Sequence, residues 1–99
     1  MLKVVEEVLI NVLGEKAFTR LVKALRRNFS LEWHEIPSKS DLFSFALKEM
    51  LGIGSTIIED LIIENLYLKL GQEIRWRKDY KFSDYIKEIL SAADGDKRA

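Results

Sequence analysis

Apolar side chains recur every three to four residues along most of this 99-residue chain, which is the spacing of one face of an α-helix. The first half of the chain is predicted to form three helices, over residues 2–13, 15–28 and 39–51. Gly14 separates the first two, because glycine accepts the backbone conformation that follows many helix C-termini. Ser38, with Asp41 three residues on, fits an N-terminal capping pattern for the third helix, and Ser40 is an alternative cap.

A fourth helix is predicted over residues 56–70. Thr56 and Glu59 have the spacing of a capping box, and Gly52 and Gly54 form the predicted turn ahead of it. The apolar residues of this segment cover most of the circumference of a helix: Ile57, Ile58, Leu61, Ile62, Ile63, Leu66, Leu68 and Leu70. Such a helix is usually buried on several sides, so we expect it at the centre of the fold.

Residues 72–82 alternate between charged and apolar side chains, as in an extended segment. Ser83 is predicted to cap a short last helix over residues 84–92, and residues 94–99 to form a frayed tail. The pattern therefore predicts one all-α domain, a compact bundle of four main helices plus a short C-terminal helix. The extended segment is expected to lie across the fourth helix.

Composition narrows the function classes. With 47% apolar and 32% charged residues, the chain is neither disordered nor membrane-spanning, and 16 basic residues balance 16 acidic ones. Cysteine is absent and His34 is the only histidine, so thiolate chemistry and two-imidazole sites are excluded. We expect no enzyme, no cofactor and no metal.

Glu6 and Glu7 interrupt the N-terminal apolar stretch, which argues against a signal peptide and favours the cytosol. The charge-rich composition is typical of a thermophile.

Residues 8–90 resemble a small helical domain of archaea, the fifth Nitrosopumilus output domain. The similarity rests on these stretches: Leu13-Gly14, Phe29-Ser30-Leu31 leading to Ile36-Pro37, Leu51-Gly52-Ile53-Gly54-Ser55 running into Ile57-Ile58-Glu59, Leu66-Tyr67-Leu68-Lys69-Leu70-Gly71, and Phe82 before Tyr85-Ile86. The family more often has an aromatic residue at Leu51 and an alanine at Ser55. The resemblance implies an all-helical output or interaction module of archaeal signalling proteins, and it implies no catalytic residues.

A basic stripe on the second helix supports a different function. Its members recur at helical spacing: Lys16, Arg20, Lys23 and Arg27. Arg75 and Arg77 add two further basic residues that could extend this surface, and the aromatic residues Trp76 and Tyr80 lie between or beside them in the sequence. Such groups neutralise phosphates and stack on bases, so a small nucleic-acid-binding regulator is the alternative function. A plain solvated face paired with carboxylates explains the same stripe.

Surplus apolar surface is the sequence feature that points to a protein partner, because large exposed patches normally mark interaction sites. The predicted partner-binding residues are Val4, Val8, Phe43, Met50 and Tyr67. A homodimer and an unrelated partner remain equally open, as does a bundle that encloses all of these residues. Asp60 and Glu64, one turn apart, are expected to form an acidic patch that faces a partner.

Overall fold

The computed structural model describes the backbone of residues 1–98 and the side chains of residues 1–92. It contains five α-helices and one short 3-10 helix, and the described residues form no strand: α1 Leu2–Leu13, α2 Glu15–Phe29, the 3-10 helix Trp33–Glu35, α3 Ser40–Leu51, α4 Gly54–Leu70 and α5 Phe82–Arg98. The predicted all-α class is therefore confirmed.

A single residue, Gly14, joins α1 to α2. Its φ of 88° lies in the region that side chains rarely adopt, and its N–H donates to the carbonyl of Ile10. After α2, a capping box between Glu32 and Glu35 forms the 3-10 helix. Trp33 from this helix packs edge-on against Phe18 of α2, with ring centroids 5.2 Å apart. These contacts fold the first half of the chain back on itself.

The α4 helix packs against α1, α3 and α5, as a central helix should. Its inward side chains belong to the hydrophobic core, where Ile62 is fully buried and Ile63 and Leu66 nearly so. The opposite face of α4 has no neighbour among the described helices, and Ile57 on that face is exposed. The central helix is thus buried on one side and bare on the other.

The caps predicted for the third and fourth helices are wrong. The Ser38 hydroxyl donates to the carbonyl of Glu35, and α3 begins at Ser40 without a side-chain cap. The α4 helix begins at Gly54, which is helical and not part of the turn, so Thr56 and Glu59 lie inside the helix and do not cap it. The turn consists of Gly52, with a φ of 65°, and Ile53.

The last helix also begins earlier than predicted. Ser83 is a buried residue inside α5, and the carboxylate of Asp84 accepts the N–H of Lys81 at 2.8 Å, so Asp84 supplies the cap. The α5 helix spans 17 residues and is not short. Its backbone includes residues 94–98. The side chains of these residues and the whole of Ala99 lie outside the described residues, so the predicted fraying of residues 94–99 is not tested.

Residues 72–81 form no helix and run extended, with a turn at residues 78–79, as predicted. Ile74 packs against the core from this segment, and Tyr85 of α5 hydrogen-bonds to the backbone of Arg77. The segment also borders α4, since Trp76 and Ile63 line one cavity. This path brings the residues of the segment beside those of α3 and α4.

Candidate functional site

The exposed face of α4 and the residue that precedes the helix carry a row of large aliphatic side chains, which we call the α4 stripe: Ile53, Ile57, Leu61 and Leu68. Ile53, Ile57 and Leu68 are 94%, 66% and 75% exposed, and Leu61 is half-buried. The spacing of four, four and seven residues keeps them on one side of the helix. The acidic residues Asp60 and Glu64 lie on the same exposed face.

A shallow groove between α1 and α4 adjoins the stripe through Leu61. It has a volume of about 170 Å³ and includes Val8 and Val12 of α1 and Lys69 of α4 among its lining residues. Val12 is 46% exposed, so the apolar surface continues from the stripe onto α1. Glu7 at the groove adds a further carboxylate to the acidic residues of the stripe.

Four of the five partner-binding residues predicted from the sequence are core residues. Phe43 is fully buried, and Val4, Val8 and Tyr67 are more than nine-tenths buried. Met50 is half-buried against the same core and stays a prediction. The prediction is wrong for the four buried positions because helix periodicity shows which residues share a face but not which face a neighbouring helix covers. The exposed apolar surface exists, but other residues form it.

The basic stripe of α2 is exposed as predicted: Lys16, Arg20, Lys23 and Arg27. Among the described residues, no carboxylate oxygen lies within 4.0 Å of their side-chain nitrogens. The neighbouring Arg26 does form an ion pair, with Glu32 at 3.2 Å. In the described part of the chain these four residues therefore form a solvated face without close ion pairs.

The structure does not join Arg75 and Arg77 to this stripe. The α2 helix packs on α1, α3 and the 3-10 helix, whereas the segment of Arg77 lies against α4 and α5. The Arg77 guanidinium donates to the hydroxyl of Tyr80 at 2.7 Å and lies 4.7 Å from the centre of its ring. Glu88 lies 4.0 Å from the same guanidinium, so Arg77 is engaged within its own segment and α5.

A cavity of about 490 Å³ lies between the α3–α4 pair and the segment 76–82, and we call it the cleft. Ser44 and Lys48 of α3 and Thr56, Glu59 and Asp60 of α4 form one wall. Helical spacing places Ser44 next to Lys48 and Thr56 next to Asp60, one turn apart on each helix. This wall combines hydroxyl groups, two carboxylates and one ammonium group.

Glu59 is the half-buried carboxylate of this wall. Its carboxylate accepts a hydrogen bond from the Ser44 hydroxyl, which joins α4 to α3. Burial raises the pKa of Glu59 above its usual value, and the charge of Asp60 raises it further. The Ser44 hydrogen bond and the Lys48 charge offset part of this rise. Glu59, predicted as a helix cap, is instead a polar group of the cleft.

The opposite wall of the cleft comes from the segment before α5, with side chains of Trp76, Lys78, Tyr80 and Lys81. Trp76 packs against the ring of Tyr85 at a centroid distance of 5.6 Å and is still 51% exposed. A tryptophan that is exposed beside a cavity offers a flat apolar surface to a planar ligand. The sequence reasoning grouped Trp76 and Tyr80 with arginines but did not bring them together with Glu59.

No helix of the described residues is long and apolar enough to cross a membrane. No family model, curated protein or solved structure matches the chain. The similarity to the fifth Nitrosopumilus output domain accordingly stays a prediction from the sequence.

Proposed function

We propose that this chain is a non-enzymatic protein-interaction module that binds an amphipathic helix of a partner protein along the α4 stripe. The observation that carries this proposal is the exposure of three large aliphatic residues, one just before α4 and two on the face of α4 that points away from the core: Ile53, Ile57 and Leu68. Full burial of each side chain against a partner contributes about 1.5–3 kcal/mol.

The charges beside the stripe define the chemistry of the partner. Asp60 and Glu64 lie within the exposed face, and Glu7 lies at the adjoining groove, where Lys69 is the basic residue. A partner helix that places lysine or arginine beside its apolar face complements this surface, and complementary charges favour the correct partner and orientation. We therefore propose a partner helix with basic flanks.

A second copy of the chain fits the stripe less well. A twofold pairing of two α4 helices sets Asp60 and Glu64 of one copy close to the same residues of the other. Like charges at such close range disfavour the contact. The basic stripe of a second copy does not substitute for the partner, because the apolar residues Leu21 and Leu25 of its helix are buried.

The cellular role that we propose follows from the resemblance of the sequence. It is an output role in archaeal signalling, in the cytosol, in which the α4 stripe passes a signal by contact with another protein. The absence of cysteine from the chain is compatible with a reducing compartment.

The test uses two model peptides of equal length that form amphipathic helices, one of leucine and lysine and one of leucine and glutamate. Fluorescence anisotropy with labelled peptides measures their binding to the protein. We expect the basic peptide to bind at least about tenfold more tightly than the acidic one. Light scattering of the protein alone measures self-association, and a concentration-dependent dimer that occupies the stripe would overturn the choice of partner.

Matched variants identify the surface. Ile57→Ser with Leu68→Ser should weaken binding of the basic peptide by at least about tenfold, since both side chains lose their apolar contact. Phe45→Ser is the control, because Phe45 is 55% exposed on α3 and packs towards Phe29 of α2. Equal loss of binding in the control, or no loss in the double variant, would contradict the proposal.

A second candidate function is the binding of a nucleic-acid backbone by the basic stripe of α2. The observation in its favour is that its four cations are exposed and have no carboxylate within 4.0 Å in the described part of the chain. Titration of labelled duplex and single strands at low and moderate salt tests it, since such binding weakens steeply with salt. Unchanged binding after Arg20→Glu with Arg27→Glu would rule it out.

A further inference from the structure

The cleft brings together three kinds of group from separate parts of the chain. Cationic side chains come from Lys48, Lys78 and Lys81, a half-buried carboxylate from Glu59, and an exposed indole from Trp76. A cavity of about 490 Å³ has the size of a site for a small organic molecule. The ligand that fits must match all three kinds of group.

Cations exceed carboxylates in the lining of the cleft. Within the described residues, Lys48, Lys78 and Lys81 have no carboxylate oxygen within 4.0 Å of their nitrogens. Clustered ammonium groups raise the local potential and attract an anion, and lysine is a common ligand of phosphate. The ligand therefore carries negative charge.

The other two groups restrict which anion fits. Trp76 lines the cleft and is 51% exposed, which favours a ligand with a flat ring, because stacking on an aromatic side chain suits any planar heterocycle. Glu59 accepts hydrogen bonds, and it repels an anion unless an N–H group of that anion donates to it. The hydroxyl groups of Ser44 and Thr56 supply further hydrogen-bonding positions. One molecule must therefore combine a phosphate, a planar ring and an amino group on that ring.

We propose that the cleft binds a purine nucleotide, with the base against Trp76, an amino group of the base donating to Glu59, and the phosphate among the lysines. This site borders the α4 stripe at Asp60 but uses other side chains, and it does not depend on the proposed function. Tyr85 fixes the wall that carries Trp76, because its hydroxyl holds the backbone of Arg77. The cleft is therefore preorganised on that side.

Tryptophan fluorescence tests this proposal. The chain contains two tryptophans, and Trp33→Phe leaves Trp76 as the single reporter in the cleft. Titration of this variant with AMP and GMP should give saturable quenching with a dissociation constant below about 1 mM for at least one of them. If neither AMP nor GMP shows saturable binding, the proposal is overturned.

Fragments of the ligand test each contact. Adenosine lacks the phosphate, ribose 5-phosphate lacks the base, and purine riboside 5′-monophosphate lacks the amino group. We expect each to bind at least about tenfold more weakly than the nucleotide that binds best. Equal binding by ribose 5-phosphate would show a site for phosphate alone and would contradict the role of Trp76.

Two matched double variants separate a built site from general attraction of anions. Lys48→Gln with Lys81→Gln removes two charges from the cleft, and Lys23→Gln with Arg27→Gln removes two from α2. All four side chains are exposed, so both proteins should fold, which circular dichroism checks. We expect at least a tenfold loss of nucleotide affinity in the first and little change in the second. Equal losses would overturn the proposal.

Discussion

The phenolic oxygen of Tyr85 lies 2.8 Å from the backbone nitrogen of Arg77 and accepts its N–H. The same hydroxyl lies 3.3 Å from the carbonyl oxygen of Arg77, to which it donates. One side chain of α5 thus satisfies both peptide groups of a residue in a segment without regular structure. Because buried backbone groups need partners, this contact holds residues 72–81 against the bundle.

Tyr85→Phe should destabilise the protein by about 1–3 kcal/mol, since it leaves the N–H of Arg77 unpaired beside a buried ring. Urea unfolding measures the free energy, and amide hydrogen exchange should show faster exchange at Arg77. Tyr80→Phe is the control, because its hydroxyl contacts the exposed guanidinium of Arg77 and no backbone group. A larger effect at Tyr80 than at Tyr85 would contradict this account.

Glu59→Gln should stabilise the protein at neutral pH. Burial raises the pKa of Glu59 in the folded state, so the carboxyl contributes its full stability below its unfolded pKa. That contribution is lost as the pH rises through the folded pKa. The stability difference between variant and wild type should therefore grow as the pH rises above the unfolded pKa of Glu59, and it should level off only above the raised pKa of the folded state. Thermal unfolding across this range checks it, and a pH-independent difference would contradict it.

The same substitution, isoleucine to alanine, can be made on the buried face and on the exposed face of α4. Ile62→Ala should destabilise the fold by about 2–5 kcal/mol, because it leaves a cavity at a fully buried position. Ile57→Ala should change the free energy of unfolding by no more than about 0.5 kcal/mol, since Ile57 is mainly exposed. Urea unfolding measures both, and similar losses would show that a neighbour covers the stripe.

Helix C-termini allow a further paired test. Ser30 ends α2 with a φ of 51°, a left-handed conformation in which a side chain is strained, and Gly71 ends α4 with a φ of 70°. Ser30→Gly should raise stability by up to about 1 kcal/mol, whereas Gly71→Ala should lower it by about 1 kcal/mol. Thermal unfolding of both variants gives the two signs, and equal signs would be inconsistent with this conformational argument.

Sequence pattern predicted the helices best where each has one apolar face and a clear end. The bounds of α1 are as predicted, and α2 exceeds its prediction by one residue. The start of α4 was missed because Thr56 and Glu59 have capping-box spacing, yet the Glu59 carboxylate bonds to Ser44 of α3. A tertiary contact of this kind leaves no local trace in the sequence.

The candidate sites were harder to predict than the fold. In a helix that is apolar all round, such as α4, periodicity gives no preference between Tyr67 and Leu68, and the structure buries the first and exposes the second. The cleft depends on the path of residues 72–81, which brings Trp76 beside α4 from well along the chain. Its residue types were visible in the sequence, whereas their proximity was not.

Because one face of α4 is buried and the other is exposed, selection acts on the buried face through folding stability and on the exposed face through partner binding. Replacements at Ile62 change the stability of the fold, whereas replacements at Ile57 or Leu68 change only the binding of a partner. In an evolving lineage, the outward positions are free to change together with a binding partner while the inward ones stay fixed. One helix would then carry two independent evolutionary records, one of architecture and one of association.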